Sequence, residues 1–539
     1  MNMMNSKSTA IEEISRFVGQ IAHLDIGGLP PVFPVEVKIP SLKPLSDEAR
    51  QKYESSLDDT IALSIPRPSS KEEEQKLIKR FLAGLEKLFS REGNWPFLQP
   101  LTLSIEACAK CQTCSDACHI YWASGGHGLY EPLYRAEILR RLYFHYIKPG
   151  GRFFKKWRYG AIDLNWTTIA RLAELSYRCN LCRRCAQTCP LSLDNGLITH
   201  ELRKLFSQEM GIAPRELHDD GSVLQLKTGS TTGMSPHIIK DNVDFIDDDI
   251  SERTGIPIKT SWDKKGADVL LIHNAGEILA WPENHGAFAT LLTLAGIDWT
   301  LSSEAEEAIG YDAVNYGLWY DDAMLAKVSL RQAKAAKMLG VKRIVIGECG
   351  HAHKALSVVA DRILMGELNI PRESSIPLIE SIVFSGRLKF DPSRNRFPVT
   401  LHDPCNMVRL MGIVEPQRRV LRALCPEFRE MEPHGVDNYC CGGGSGFAIM
   451  SGHNFQDFRM HVTGRKKLEQ ILKAFEDKPE PSIHKYVCTP CSNCKGQIRD
   501  LIRTFDLWNQ YGVNYGGLVE VVVNALDVVK PGYIQWEMH

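Results

Sequence analysis

The sequence predicts a multidomain chain of α+β and α/β character: a helical module built around cysteine runs, followed by two pseudo-repeated α/β halves. Three observations predict it. Two near-identical four-cysteine runs fall within residues 101–210, and after Lys265 short β-rich runs alternate with helical stretches. That alternation occurs twice, over 267–395 and over 396–539, which points to an internal duplication. At 539 residues there is room for several domains, each with its own core. The composition, 44% hydrophobic and 24% charged, is ordinary for a globular chain, and a net charge of −1 makes no electrostatic case for nucleic acid. No uninterrupted apolar stretch is long enough to span a bilayer, and MNMMNSKSTAIEE lacks a charged start followed by an apolar run. The expectation is a chain with neither a transmembrane helix nor a secretory signal.

Residues 1–100 read as an N-terminal helical and extended docking arm. Ile11, Ile14, Phe17, Val18, Ile21 and Leu24 follow helical spacing, as do Leu77, Ile78, Phe81, Leu82, Leu85, Leu88 and Phe89. Such stripes report a buried face, either in the chain's own core or against a partner. Between them GGLPPVFPVEVKIPSLKP is too proline-rich for a helix. Between the cysteine runs lies a basic aromatic segment with Arg152, Lys155, Lys156 and Arg158 among Phe153, Phe154, Trp157 and Tyr159. It suits a membrane surface or the edge of a membrane subunit, and equally a solvated loop. Residues 211–266, polar and rich in glycine and aspartate, read as a linker. In the halves that follow, ADVLLIHN (267–274), VKRIVIGE (341–348), FPVTLHDP (397–404) and HKYVCTP (484–490) read as strands of parallel sheets. Functional groups are expected at their carboxyl ends.

Sixteen cysteines in a chain of this size argue for metal ligands rather than disulfides, which staple small secreted domains. The first run is CAKCQTCSDACH, with Cys108, Cys111, Cys114 and Cys118; the second is CNLCRRCAQTCP, with Cys179, Cys182, Cys185 and Cys189. Both match C-x2-C-x2-C-x3-C, and the second adds Pro190, the bacterial ferredoxin pattern for two [4Fe–4S] clusters. In that pattern the fourth cysteine of each run reaches the other cluster. Cys108, Cys111, Cys114 and Cys189 are thus assigned to one cluster, and Cys179, Cys182, Cys185 and Cys118 to the other. His119 stands where the first run would have its proline. Structural zinc also uses C-x-x-C pairs but rarely two near-identical four-cysteine runs. The chemistry expected is electron transfer.

A second constellation lies in the last half: Cys405 in LHDPC, Cys440 and Cys441 in NYCCGGGSGF, and Cys488, Cys491 and Cys494 in CTPCSNC. Adjacent cysteines suit a cluster with thiolates on different irons, and Gly442 to Gly444 remove side chains where backbone passes close to metal. This pattern resembles the cysteine-rich CCG domain of heterodisulfide reductases, a family that includes iron–sulfur subunits of lactate, glycolate and glycerol-3-phosphate oxidoreductases. The resemblance implies that Cys405, Cys440, Cys441, Cys491 and Cys494 hold a catalytic non-cubane [4Fe–4S] cluster. Cys488 is a further metal candidate, because CTPC also has C-x-x-C spacing. The spacer before Cys491 is longer than the family's, with DKPEPSIHK the plausible insertion. The first α/β half departs from the pattern: HNAGEI (273–278) and NYGLWY (315–320) stand where cysteines are expected, and only Cys349, in GECGHAH, survives. Cys349 is read as a site residue at the mouth of the remaining centre or as a buried thiol. His351 and His353 read as loop histidines, and Cys425 as packing.

The layout after about residue 100 is similar to the DsrK family, heterodisulfide-reductase-D-like subunits of membrane-bound DsrMKJOP complexes in dissimilatory sulfur metabolism. The resemblance implies a cytoplasmic chain, peripheral on the inner face of the cell membrane. Electrons would reach it from menaquinol through a cytochrome b partner, and a small DsrC-like sulfur carrier would present a disulfide or trisulfide. The rival expectation is an electron-relay subunit of a flavin-dependent hydroxyacid or glycerol-3-phosphate:quinone oxidoreductase.

Overall fold

The computed structural model describes residues 65–66, 68–150, 162, 164–303, 312, 316–359, 362, 364–450 and 455–537. The chain divides into two compact units, one formed by residues up to 218 with 319–322 and 444–466, the other by the remainder. The first helical stripe, the proline-rich stretch and the basic aromatic segment lie outside the described residues.

The first unit is helical. Helix α1 (Lys71–Leu88) starts at Ser70, whose side chain accepts from the Glu73 amide, and Glu72, Glu73 and Glu74 fill its first turn. The cap and these acids satisfy the exposed amides and positive end of the helix. Its predicted stripe is buried through Phe81, Leu85 and Leu88. Phe81 stacks on Phe206 at 5.8 Å. This part of the arm therefore packs into its own unit. Helices α2 (Leu98–Glu106), α3 (Pro132–Leu142), α4 (Trp166–Ser176) and α5 (Asn195–Lys204) flank the two cysteine runs. All ten residues of α5 are buried, which makes it the central post of the unit.

The second unit begins inside the expected linker, and there the expectation is corrected. Helix α6 (Pro236–Thr254) is capped by Ser235 and closed by Gly255 at φ +74°. Ile239, Val243, Ile246 and Ile250 form its buried stripe. The acidic outer face hid that stripe from a reading by composition.

Two four-stranded parallel sheets follow. The first holds β1 (Val269–Ile272), β2 (Trp299–Thr300), β3 (Arg343–Ile346) and β4 (Arg372–Ser374) in the order β2-β1-β3-β4. The second holds β5 (Val399–Leu401), β6 (Phe428–Arg429), β7 (Lys485–Cys488) and β8 (Val513–Gly516) in the order β6-β5-β7-β8. The four strands expected from the sequence are the inner pair of each sheet, β1 with β3 and β5 with β7. Inner parallel strands are covered on both faces, so they read as apolar runs. Helix α7 (Pro282–Leu294) packs on α11 (Leu518–Asn524), and α8 (Ser375–Val383) on α9 (Pro416–Leu424). These contacts merge both sheets into one core, which includes Val269, Leu271, Val399, Leu401 and Val522. Helix α10 (Ser492–Thr504) lies between β7 and β8 in sequence.

Glu348, just past β3, fixes the carboxyl ends of the two sheets together. Its Oε1 accepts from the amides of Leu518 and Val519 at 2.8 and 2.9 Å, the open start of α11. Its Oε2 accepts from Asn284 Nδ2 at 3.1 Å, and its carbonyl from the Ser492 amide at 2.8 Å. A Cβ at Gly517 would collide with Glu348 Oε2, so the clamp requires glycine there. Burial raises this carboxyl to about 8.

Deeper in the same unit runs a buried polar chain. Asp247 accepts from Thr260 Oγ1 at 2.8 Å, and Thr260 Oγ1 meets His285 Nε2 at 3.1 Å. His285 Nδ1 meets His273 Nε2 at 3.2 Å. Burial first, then His273, holds His285 well below the usual histidine range. The folded state keeps this ring neutral while the unfolded chain protonates it near pH 6.5, so stability falls as pH drops below that value. Between pH 6.5 and 5.5 the wild type should lose about 1 kcal/mol more than His285→Phe in anaerobic urea unfolding, approaching the roughly 1.4 kcal/mol per pH unit of one titrating group. Parallel curves for the two proteins would refute this.

Candidate metal centres

The two cysteine runs sit in the helical unit, and each turns its thiols inward by the same backbone device. Lys110 and Gln112 have φ of 56° and 71° in the first run; Leu181 and Arg183 have 50° and 63° in the second. None of the four is glycine, and left-handed backbone costs such residues roughly 1–2 kcal/mol each. Strain repeated at matching positions marks loops shaped for a ligand. Cys108, Cys111, Cys114 and Cys189 line one cavity. Cys114 is pushed up to about 11 by burial and by the charges of Cys108, Cys189 and Cys111. Cys118 is pushed up to about 12 by burial, with Cys182 and Cys179 its nearby thiols. Thus each fourth cysteine lies beside the other run.

Two buried arginines give the second group of thiols an electrostatic meaning. Arg135 is 2% exposed; its Nε donates to Thr199 Oγ1 at 3.3 Å, its Nη1 has no partner, and its charge favours the Cys118 thiolate. Arg203 is fully buried, donates to the carbonyls of Ser176, Cys179, Trp319 and Ser445, and is lowered to about 10 by burial. Neither pairs with a carboxylate among the described residues. A buried cation without a counter-charge is costly unless an anion belongs beside it. A four-thiolate iron–sulfur cluster is such an anion, so donor set and surroundings fit it. His119 Nε2 meets Asn180 Oδ1 at 2.9 Å, which ties the end of the first run to the second.

In the α/β unit Cys440, Cys441, Cys491 and Cys494 of the second constellation come together, and the loops after β3, β5 and β7 carry Cys349, Cys405 and Cys491. Cys349 caps the short helix Gly350–His353, Cys405 opens the short helix Cys405–Leu410, and Cys491 caps α10. Cys440, Cys441, Cys491 and Cys494 are each within 2% of full burial. Cys441 is held well below the usual thiol range by hydrogen bonds with Cys440 and Cys494, while Cys494 is pushed well above it by its contacts with Cys441 and Cys491. Cys491 is also held low, by Cys494 and then against burial by His351. Neighbouring thiols split in this way when they lie close enough to share protons, so the three sulfurs form one site. The amides of Gly442 and Gly443 donate to the sulfurs of Cys440 and Cys441 at 3.4 Å. A Cβ on Gly443 would stand 2.7 Å from Gln497 Cβ, so the Cys-Cys loop can approach α10 only as glycine.

Cys349 joins this group from the first sheet. Burial and then Cys491 push its thiol up, and the next amide, Gly350 N, donates to Cys491 Sγ at 3.3 Å. Cys488 does not join it. It ends β7 inside the apolar core, where Cys425 is its neighbouring thiol, so the expectation of a further metal ligand is corrected. The C-x-x-C spacing misled because one of its cysteines is still in the strand.

Sequence reasoning missed three groups here. His402 is fully buried, and its ring lies with the sulfurs of Cys441 and Cys494 inside 4.8 Å. Lys467 is fully buried and lowered to about 8 by burial, with Asp403, Cys441, Cys440 and Cys494 drawing it back up. Asp403 is locked by Arg418 at 2.7 and 2.6 Å and accepts from the Gly435 amide at 2.6 Å, which anchors the approach to the Cys-Cys pair. A histidine three residues before a site cysteine is a usable sequence signal; the lysine and arginine carry none. Several buried thiols on converging loops, glycine amides aimed at sulfur, and a buried ammonium fit a multi-iron cluster.

Family models match residues 104–193 as a 4Fe-4S dicluster domain and residues 399–499 as a Cysteine-rich domain of the CCG type. The chain is 27% identical over 473 residues to an Hdr-like menaquinol oxidoreductase iron-sulfur subunit of Archaeoglobus fulgidus, covering 80% of this chain and 81% of that one. It is 24% identical to a dihydromethanophenazine:CoB--CoM heterodisulfide reductase subunit of Methanosarcina acetivorans, over 64% of this chain and 79% of that one. A fumarate reductase (CoM/CoB) subunit of Methanothermobacter marburgensis is 22% identical over 80% of this chain and 73% of its own length. No solved structure matches. The chain is thus similar to heterodisulfide-reductase-type iron–sulfur subunits, as its motifs led us to expect, and it carries iron–sulfur domains suited to electron transfer.

Two outcomes follow. Cys494→Ser should lower iron from about twelve to about eight atoms per chain, whereas Cys488→Ser should leave it unchanged; equal losses would contradict the placement of Cys488. Arg135→Met should retain iron yet lower the potential of one cubane cluster in an EPR redox titration, because a cation beside a cluster favours its reduced, more negative state.

Proposed function

We propose that this chain passes electrons from a menaquinol-oxidising cytochrome b partner through two [4Fe–4S] clusters to a non-cubane [4Fe–4S] centre in the cysteine pocket. There they reduce a disulfide or trisulfide of a small DsrC-like sulfur-carrier protein, as a DsrK-type subunit would in dissimilatory sulfur metabolism. The observation that carries the reading is the convergence of Cys440, Cys441, Cys491 and Cys494, with Cys349, in one buried pocket fed by the starts of three helices. For an ordinary disulfide the balance is RS–SR′ plus two electrons and two protons giving RSH and R′SH. Bound in the pocket, the cluster would supply one-electron steps and a site for sulfur.

The residues of the chain define what that site does. Helix α10 directs its positive end at Cys491, which favours the thiolate. Asn493 Nδ2 lies 3.0 Å from His351 Nδ1. An amide NH2 only donates, so Nδ1 accepts from it, and the same ring hydrogen-bonds Cys491. His351 is 4% exposed, placed to hold a proton for a sulfur leaving beside Cys491. Gly350 keeps this wall thin: a Cβ there would come within 3.4 Å of Cys491 Sγ.

No helix among the described residues is long and apolar enough to cross a membrane. We assign the chain to the inner face of the cell membrane, held there by partner subunits. The similarity to a protein named as a menaquinol oxidoreductase component supports a quinol as the electron source.

The intact complex, given reduced viologen under anaerobic conditions, should oxidise it only when the oxidised carrier is added, with carrier thiols appearing in step. Cys441→Ser should abolish this turnover while both cubane EPR signals persist. Viologen oxidation indifferent to the carrier would overturn the sulfur chemistry and leave an electron relay.

A further inference from the structure

His402 stands in the cysteine pocket with both ring nitrogens unused by the polar groups of the protein. Its side chain is 0% exposed, neither Nδ1 nor Nε2 reaches a nitrogen or oxygen partner, and the ring meets the thiol of Cys441. Leaving a buried polar group unsatisfied costs roughly 1–3 kcal/mol, so an imidazole with no nitrogen or oxygen partner depends on the Cys441 sulfur beside it. The ring cannot turn elsewhere. The His402 amide donates to the Cys488 carbonyl at 2.9 Å, continuing the pairing of β5 with β7. The next residue, Asp403, is fixed through both carboxylate oxygens by Arg418 and by the Gly435 amide, and its carbonyl accepts from Asn438 Nδ2 at 3.0 Å. Backbone is therefore held on both sides of the ring. One ring nitrogen and the sulfurs of Cys441 and Cys494 lie inside 4.8 Å of one another.

Lys467 does not compete for this role. Its ammonium already donates to Asn438 Oδ1 at 2.8 Å and Gln470 Oε1 at 2.6 Å, so it acts on the thiols through charge alone. The glycine amides at 442 and 443 serve Cys440 and Cys441 from the loop side. His402 approaches Cys441 from the strand side.

We propose that His402 is a positioning residue of the cysteine-held iron–sulfur centre, donating an imidazole N–H to the Cys441 thiolate and raising the potential of the centre. This rests on the reading of the pocket as a cluster site. A hydrogen bond to ligand sulfur stabilises the reduced, more negatively charged state, so it favours electron uptake at the end of the chain of clusters. A non-ligand donor next to the ligands also holds Cys441 in its orientation, as outer partners do in other metal sites.

The test uses the full chain in its complex, labelled with 15N-histidine and compared with unlabelled protein by pulsed EPR of the paramagnetic centre. A weak histidine nitrogen coupling, changed by the label, is expected in the wild type. His402→Leu should remove that coupling and lower the midpoint potential with iron content intact, and His402→Asn, which keeps an N–H, should restore much of the potential. If His402→Leu loses iron, His351→Leu decides: the wild-type coupling should persist in it, and its disappearance there would overturn the proposal. A coupling of the strength of directly ligated imidazole, or no histidine coupling at all, overturns the proposal. Wild-type protein with about eight irons and no such centre would overturn the cluster reading itself, whereas a centre without histidine coupling would overturn only this inference.

Discussion

The contact on which the sulfur pocket depends is the Glu348 clamp. One buried carboxylate accepts three N–H groups, two from the start of α11 and one from Asn284, while its carbonyl takes the Ser492 amide. Cys349 follows Glu348 directly, and Ser492 follows Cys491, so the same residue sets both thiols in place. The carboxylate satisfies helix amides that would otherwise end in the protein interior, where unmade hydrogen bonds are expensive. Its cost is desolvation, visible in the upward shift of its titration. Without this residue the ends of the strands that carry the chemistry would be joined by weaker ties, Gly350 N to Cys491 Sγ and Asn493 to His351.

A second constraint is charge. The pocket and the helical unit both bury sulfur that must ionise to bind iron, and both bury cations with few anionic partners. Arg135 acts on Cys118 and Arg203 on Cys179, and Lys467 faces Cys440, Cys441 and Cys494. Taken alone each group is a liability, since an uncompensated buried charge costs several kcal/mol. Thiolates and cations become mutually consistent when multi-iron clusters with net negative charge fill the space between. The strained left-handed residues at 110, 112, 181 and 183 obey the same logic, being tolerable where a ligand repays them.

Much of this was legible in the sequence because it is local. The four-cysteine runs announce themselves by spacing, and the inner strands by apolar runs ending in polar or cysteine residues. Helix α6 was illegible to a reading by composition, since four isoleucines and valines every third or fourth position were outnumbered by acids on the opposite face. Cys488 was misread through spacing, although alternation along KYVC places it two residues from Tyr486 on the face of β7 that joins the core. Glu348, Arg203 and His402 could not be valued from sequence, because their partners lie from 24 to 242 residues away and only folding brings them together.

The first sheet carries one cysteine at its strand ends where the second carries several, yet its geometry bears on the same thiols. Its strand order matches that of the second sheet, and Cys349 follows β3 at the same interval at which Cys491 follows β7. Gly350 N reaches Cys491 Sγ, and Asn493 joins His351 from the facing helix start. A half that only filled space would have no reason to aim an amide, a thiol and a histidine at the sulfur of its neighbour. It forms the opposite wall, so that one set of thiolates can sit in a closed, low-dielectric pocket where hydrogen bonds and buried charges act at full strength. A cluster held among these thiols would therefore rest on both halves, although only one of them carries the Cys-Cys pair.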